Sequence, residues 1–369
     1  MTVITKVVKG NPYYYYQDNI KDSSNNNKIK TISTLIGRTD LNDEALLSKR
    51  AIALEKHFIK VFKEISLITH INYKFENKPT NTSIDGLEII KIKYNQYMGH
   101  LLPDERENYN YTFFIKYVHG TTAIEGNTLS EDEAGKLLSM GLTSNNKPHN
   151  ENIEVENYND VRKFMETYPN HEDVNEKLIK HINKLLMKGV KVDGIPVNAG
   201  EYRVRGAKIT GIWFKPPAAE LISQRVRYAL ADYHDRQKRN IHPVELASIF
   251  HQKFEEIHPF QEGNGRTGRE ILNYMLKRNG FPPINITPKQ RSEYLNALEE
   301  GNKPNYVPLI DFIIGRMNAT LLYLVSRTSI LKIIKTEGYK KFFINIGDEI
   351  MYNKFVEETE HLNKSEEFP

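Results

Sequence analysis

Residues 258–269 read HPFQEGNGRTGR, and GNGRTG within them is a literal G-x-G-x-x-G. That spelling marks a dinucleotide-binding turn only when a strand precedes the glycines and a helix follows them. The residues in front, PVELASIFHQKFEEIHPF (243–260), put Leu246, Phe250, Phe254 and Ile257 at i, i+4, i+8 and i+11, which is one face of a helix. The acid that would hold a ribose about 20 residues further on is missing, because the chain there reads INITPKQ (284–290). The context is helix, short loop, helix, and it argues against a dinucleotide fold.

A loop of this kind has its own chemistry. Gly263 and Gly265 let several backbone N–H groups point at one spot, and a helix beginning near Arg266 adds its positive end. Arg266 and Arg269, three apart, project from the same side of that helix. Backbone donors with two guanidinium groups suit a polyphosphate. Glu262 is out of place beside an anion unless a cation bridges it to the phosphates, as Mg²⁺ does through one or two carboxylates. His258 closes the preceding helix, with Pro259 and an inward Phe260 behind it, where a neutral imidazole takes a proton from an attacking hydroxyl. Phosphoryl or nucleotidyl transfer needs little more than alignment, charge neutralisation and such a base.

Working outward, the 369 residues suffice for one main domain with small appendages. Hydrophobic residues make up 39% and charged residues 27%, a globular balance, and the net charge of +4 over 51 basic and 47 acidic side chains is too even to argue for nucleic acid. The chain has no cysteine, which rules out disulfides, Cys-ligated zinc, iron–sulfur clusters and thiol catalysis. No run of apolar residues reaches the length of a signal peptide or a membrane span, so a cytoplasmic protein without a membrane partner is expected. Residues 3–10 and 28–37 read as β-branched runs of a small N-terminal appendage, with Tyr13–Tyr16 as an aromatic strand in preference to self-modification sites. From Asn42 the pattern is helical: 42–65, 86–98, 111–127, 130–141, 152–167, 175–189, 218–237, 243–257, 266–279, 289–299 and 306–334. Residues 200–222, rich in glycine and β-branched residues and holding the single Trp213, read as an exposed hairpin between helices. The expected fold is therefore mainly α with small β appendages. The divisions are a β-rich piece over 1–40, a helical region over 41–110, a segment over 111–130, a main domain over 175–316, and a C-terminal helix and tail over 317–369.

HPFQEGNGRTGR resembles the signature of the Fic family of protein adenylyltransferases, His-Pro-Phe-x-[Asp/Glu]-Gly-Asn-Gly-Arg-x-x-Arg, at every fixed position. The resemblance implies a Fic-type helical core with a β-hairpin flap that docks the target. It implies that His258 deprotonates a Tyr, Ser or Thr hydroxyl of a target protein, the chain itself among the candidates, which then attacks the α-phosphate of ATP. It assigns Glu262 to Mg²⁺ (or Mn²⁺), Gly263, Asn264 and Gly265 to an anion hole, Arg266 to the phosphates and Arg269 to the γ-phosphate. Tyr294 and Asn302 would border the adenine, and Ile209, Thr210, Gly211, Ile212 and Trp213 would form the flap edge. TTAIEG (121–126) resembles the family's inhibitory motif through Thr121, Glu125 and Gly126, which implies that Glu125 occupies Arg269 in place of the γ-phosphate. In some members that glutamate also helps remove AMP. A nucleic-acid-binding regulator carrying a Fic-like domain and transfer of a different nucleotide are the alternatives left open, and a homodimer is an open partner.

Overall fold

The structure, a computed structural model, describes residues 2–22, 28–41, 49, 53, 56–57, 60–61, 64, 72–169, 171–206 and 216–327. These fall into two compact units. One takes the N-terminal strands with residues 81–109 and the last helix from residue 318, and the other takes residues 73–80 and 110–317.

In the first unit β1 (Thr2–Val8), β2 (Asn11–Asp22) and β3 (Lys28–Arg38) form an antiparallel sheet in chain order. The link Lys9-Gly10 has φ of 49° and 77°, the doubly positive backbone of a two-residue hairpin. The tyrosine run is therefore the start of the middle strand, with Tyr16 buried and Lys6 Nζ 5.2 Å from the Tyr15 ring centroid. His57 is buried against the sheet, its Nδ1 3.0 Å from Thr34 Oγ1 and its Nε2 3.3 Å from Asp18 Oδ2. Helix α1 (Ile84–His100) starts where the Ser83 hydroxyl accepts from the Gly86 N–H. Most of the helix read from Asn42 lies outside the described residues.

The remaining helices are α2 (Pro103–Ala123), α3 (Glu131–Met140), α4 (His149–Thr167), α5 (Glu176–Leu186), α6 (Ile222–Lys238), α7 (Pro243–Ile257), α8 (Asn264–Arg278), α9 (Arg291–Gly301) and α10 (Val307–Ser326). A short hairpin, β4 (Lys191–Val192) and β5 (Ile195–Pro196), follows α5 and turns on Asp193-Gly194 at φ of 51° and 80°. That Asp-Gly pair is the local signal for it, and strands of two residues are too short to show alternation. Several boundaries move for identifiable reasons. Helix α2 starts at Pro103 with Asp104 and Glu105 in its first turn, and α3 has a complete Ser130/Glu133 capping box. Helix α8 begins at Asn264, two residues early, because Gly263 turns the chain at φ 75°. The flap residues Ile209, Thr210, Gly211, Ile212 and Trp213 lie outside the described residues.

Helix α7 is the axis of the second unit. Residues 241–252 are buried without a break, the pattern of a helix covered on all sides. Helices α6, α8 and α9 pack on it, α5 packs on α8, and α4 and α3 follow outward. Glu245 is buried in the first turn of α7, where the positive helix end favours a carboxylate. It accepts from the N–H groups of Glu76 and Asn77 and from the Asn77 amide at 3.1, 2.7 and 2.8 Å. Helix α10 is long and apolar enough to cross a membrane by length and composition. More than half of its apolar window is buried, and Asp311 and Arg316 within it bond to Thr80 and to the Asn285 carbonyl, so it is a core helix.

Candidate active site

The loop that carries His258 is held by a nearly complete set of backbone hydrogen bonds. Helix α7 ends at His258, whose φ of 50° and ψ of 61° are left-handed, a conformation uncommon for a residue with a side chain. The His258 carbonyl accepts from Arg203 Nε at 2.8 Å, and the Pro259 carbonyl accepts from the Arg203 N–H at 2.9 Å. The Phe260 N–H donates to Asn264 Oδ1 at 2.8 Å, and Asn264 Nδ2 returns a bond to the Phe260 carbonyl at 2.9 Å. The Asn264 side chain thus serves the loop. Asn183 on α5 completes the cage: its Nδ2 donates to the Glu262 carbonyl and to Thr267 Oγ1, and its Oδ1 accepts from the Gly200 N–H.

The two arginines of the motif part company. Arg269 is buried and faces the last turn of α2 and the turn that follows it: its Nε donates to Thr121 Oγ1 at 2.7 Å, and its Nη2 donates to the Thr121 carbonyl at 2.9 Å and to Glu125 Oε1 at 2.7 Å. Arg266 is also buried, but it faces Glu154 on α4 at 3.0 Å and does not line the cavity. Glu154 in turn accepts from the Asn127 amide at 3.3 Å, so the turn after Glu125 and the start of α8 share one carboxylate. Gly126 has φ of 106°, a backbone that L side chains rarely adopt, and it lets the chain turn there immediately after Glu125.

His258, Glu262, Gly265, Arg269, Glu125 and Tyr294 line one cavity of about 890 Å³, within the usual size of a small-molecule site. Gly263 lies against Met187 instead, its added Cβ 2.7 Å from the sulfur. Tyr294 Oη is 2.7 Å from His251 Nε2. Asn302 is not among the lining residues and accepts from Gln252 Nε2 at 2.8 Å. Gly265 has a steric reason of its own: a Cβ there would sit 2.2 Å from Glu125 Oε1 and 2.8 Å from Arg269 Nη1.

The charges in the cavity are set by burial and by one another. Burial lowers His258 to about 4, with Glu125 opposing and Arg203 adding to the shift, so the imidazole is neutral at pH 7. Desolvation works to raise Glu125, but the Arg269 and Arg266 charges and the Arg269 hydrogen bond outweigh it and hold the carboxylate below its ordinary value. Glu262 is raised by burial, then lowered less by Arg266 than Glu154 and Glu125 and burial together raise it. Its carboxylate accepts no hydrogen bond among the described residues. A half-buried carboxylate, free of donors and crowded by two others, fits a hard divalent cation shared with a ligand's oxygens. Among the described residues no group of three or more His, Asp or Glu is arranged to hold a metal ion by itself.

Several residues here carry no signal in the motif. Arg203, Asn183 and Glu154 come from distant stretches and were invisible to spacing arguments. Glu255 has a partial one, since Gly268 reads as a free position of the signature. In the structure a Cβ at Gly268 would lie 2.3 Å from Glu255 Oε1, 3.0 Å from Phe254 Cδ1 and 3.2 Å from His251 Cε1. Glu255 Oε1 is buried without a hydrogen-bond partner, and burial raises this acid to about 8. Gly268→Ala is expected to cost about 1–3 kcal/mol by overpacking, and less in a Glu255→Ala background, where the shortest contact is gone. Denaturant melts of the two single variants and the double variant check this. A Gly268→Ala protein as stable as the parent would contradict the contact.

Residues 173–276 match the model of the Fic/DOC family. Protein adenylyltransferase fic-1 of Caenorhabditis elegans is 30% identical over 210 residues, which cover 57% of this chain and 41% of that protein. Protein adenylyltransferase Fic of Aedes aegypti is 29% identical over 214 residues, with 57% and 42% covered. The chain therefore spans about two fifths of the length of the curated relatives it matches. Among solved structures, a Fic domain containing signaling protein from Bacteroides thetaiotaomicron superposes with a TM-score of 0.58 at 24% identity, over 64% of this chain and 96% of that one. Fic-1 from Caenorhabditis elegans superposes with a TM-score of 0.56 at 23% identity, over 77% and 82%. These two likenesses concern the fold, and the match to the Fic/DOC family model over residues 173–276 takes in the HPFQEGNGRTGR loop.

Proposed function

We propose that the chain moves AMP from ATP to a hydroxyl side chain of a protein, and that Glu125 restrains it. The observation that carries this reading is the shared cavity, in which a neutral His258 and the start of α8 open on the same space as an Arg269 already occupied by Glu125. The target oxygen bonds to the α-phosphorus while the bond from that phosphorus to the bridging oxygen breaks and pyrophosphate leaves. The hydroxyl proton passes to His258 at Nε2, since Nδ1 is the buried nitrogen. The N–H groups at the start of α8 and the Arg269 guanidinium bind the phosphates. Glu262 would hold Mg²⁺, which supplies neutralisation of phosphate charge.

Glu125 restrains the reaction by charge and by place. Its carboxylate takes the Arg269 N–H groups that a terminal phosphate needs, and it puts a negative charge where the polyphosphate would lie. The protein target, the cytoplasmic setting and the choice of ATP over other nucleotides belong to the same proposal. Adenylyl transfer is favoured over phosphoryl transfer by the intact glycines at 263 and 265.

Incubation with α-labelled ATP and a cell lysate tests the reading. Glu125→Gly is expected to raise labelling at least tenfold over the parent, and His258→Ala in that background to abolish it while ATP binding persists. Unchanged labelling in Glu125→Gly would remove the restraint from the account, and persistent labelling without His258 would remove the base.

The pH profile follows from the lowered imidazole. A base with a pKa of about 4 is deprotonated and active above that value, so activity is complete at pH 7 and lost only as the pH falls through about 4. Removing Glu125 takes away a charge that raises His258, which moves the limb no higher. The acid limb of kcat/KM for Glu125→Gly is thus expected well below the ordinary 6.5 of a free imidazole. A limb centred near 6.5 would contradict a buried, neutral base.

A further inference from the structure

Arg203 is a buried cation with no carboxylate paired to it among the described residues. An unpaired buried charge is costly unless its N–H groups are met, and here four of the five guanidinium N–H groups are met by backbone carbonyls. Nε donates to His258 at 2.8 Å, Nη2 to Ile257 at 3.4 Å and to Pro217 at 2.8 Å, and Nη1 to Arg205 at 2.8 Å. Two of these acceptors lie at the C-terminus of α7, where the negative end of the helix dipole favours a cation and the last carbonyls lack partners of their own. The other two are Arg205 and Pro217, which flank the stretch where the sequence reading puts the target-docking flap. The main chain joins in: the Arg203 N–H donates to the Pro259 carbonyl, and Tyr202 pairs with Phe260 as an antiparallel bridge.

We infer that Arg203 is a positioning residue that holds the backbone of the base in one frame with the chain at residues 205 and 217. It keeps His258 in its left-handed turn through the carbonyls of 257 and 258, and it fixes Arg205 and Pro217 to the same planar fork. The fork geometry matters as well as the charge, because a lysine ammonium at this place cannot reach four carbonyls in one plane. With four of its five N–H groups committed to carbonyls, Arg203 is poorly placed to serve as a phosphate ligand, although it borders the cavity. Misplacement of a base by about 1 Å costs on the order of 100-fold in rate.

This inference rests on the transfer reaction proposed above, and the test separates the two. In the Glu125→Gly background, Arg203→Ala and Arg203→Lys are compared with that parent for labelling at saturating ATP, for affinity toward α,β-methylene-ATP by calorimetry, and for melting temperature. The expected result is a loss of labelling on the order of 100-fold for alanine and on the order of 10-fold for lysine, with analogue affinity within about threefold of the parent. Added methylguanidinium is expected to restore part of the alanine variant's activity without changing its melting temperature. Should the alanine variant not fold, the lysine variant decides. Labelling that survives in the lysine variant at the parent rate would overturn the inference, as would a fall in labelling matched by an equal fall in analogue affinity. If the Glu125→Gly parent itself fails to label, the transfer reading fails and the role of Arg203 is not at issue.

Discussion

Arg269 is a guanidinium buried in the body of the domain, and most of the site's arrangement follows from the need to answer its charge. A buried cation needs both a counter-charge and acceptors for its N–H groups. Thr121 supplies two acceptors and Glu125 supplies the charge, all from the end of α2, a segment far from Arg269 in sequence. Removing one partner of a fully buried pair costs about 3–5 kcal/mol. Glu125 is 39% exposed, so here the loss is a fraction of that. The exposure matters for function, because a carboxylate that borders a cavity can be exchanged for another anion without unpacking the core. A polyphosphate entering the cavity would satisfy Arg269 in its place.

The second constraint is backbone accounting around His258. A left-handed turn at a residue with a side chain persists only when its surroundings over-determine it. Arg203, Asn264 and Asn183 do this from three different elements, and together they bond the carbonyls of 257, 258, 259, 260 and 262. The result is an imidazole held by packing and backbone hydrogen bonds instead of by a side-chain partner, and kept neutral by burial.

The helical class and the central loop were legible because their signals are local: the i, i+4 spacing before His258, the two glycines, and the apolar spacing of the other helical runs. The pairing of Glu125 with Arg269 was legible only through the family resemblance, since nothing local links positions 144 residues apart. Arg266 shows the limit of reading side from spacing. Three residues from Arg269 on one helix, it nevertheless faces Glu154, because α4 brings a carboxylate to that side and the cavity does not. Gly268, a free position of the signature, is crowded by Glu255, Phe254 and His251, contacts that exist only once α7 and α8 are packed. The β4–β5 hairpin had its Asp-Gly signal in plain view but strands too short to alternate.

The central claim is that Glu125 and a polyphosphate compete for one guanidinium. Calorimetric binding of AMP, ADP and ATP to the parent and to Glu125→Gly tests it most directly, since only ligands that reach Arg269 gain from the glutamate's removal. The account predicts that AMP affinity changes little between the two proteins and that the gain in the variant grows with phosphate number, to at least tenfold for ATP. Equal gains for all three nucleotides, or none for ATP, would contradict it.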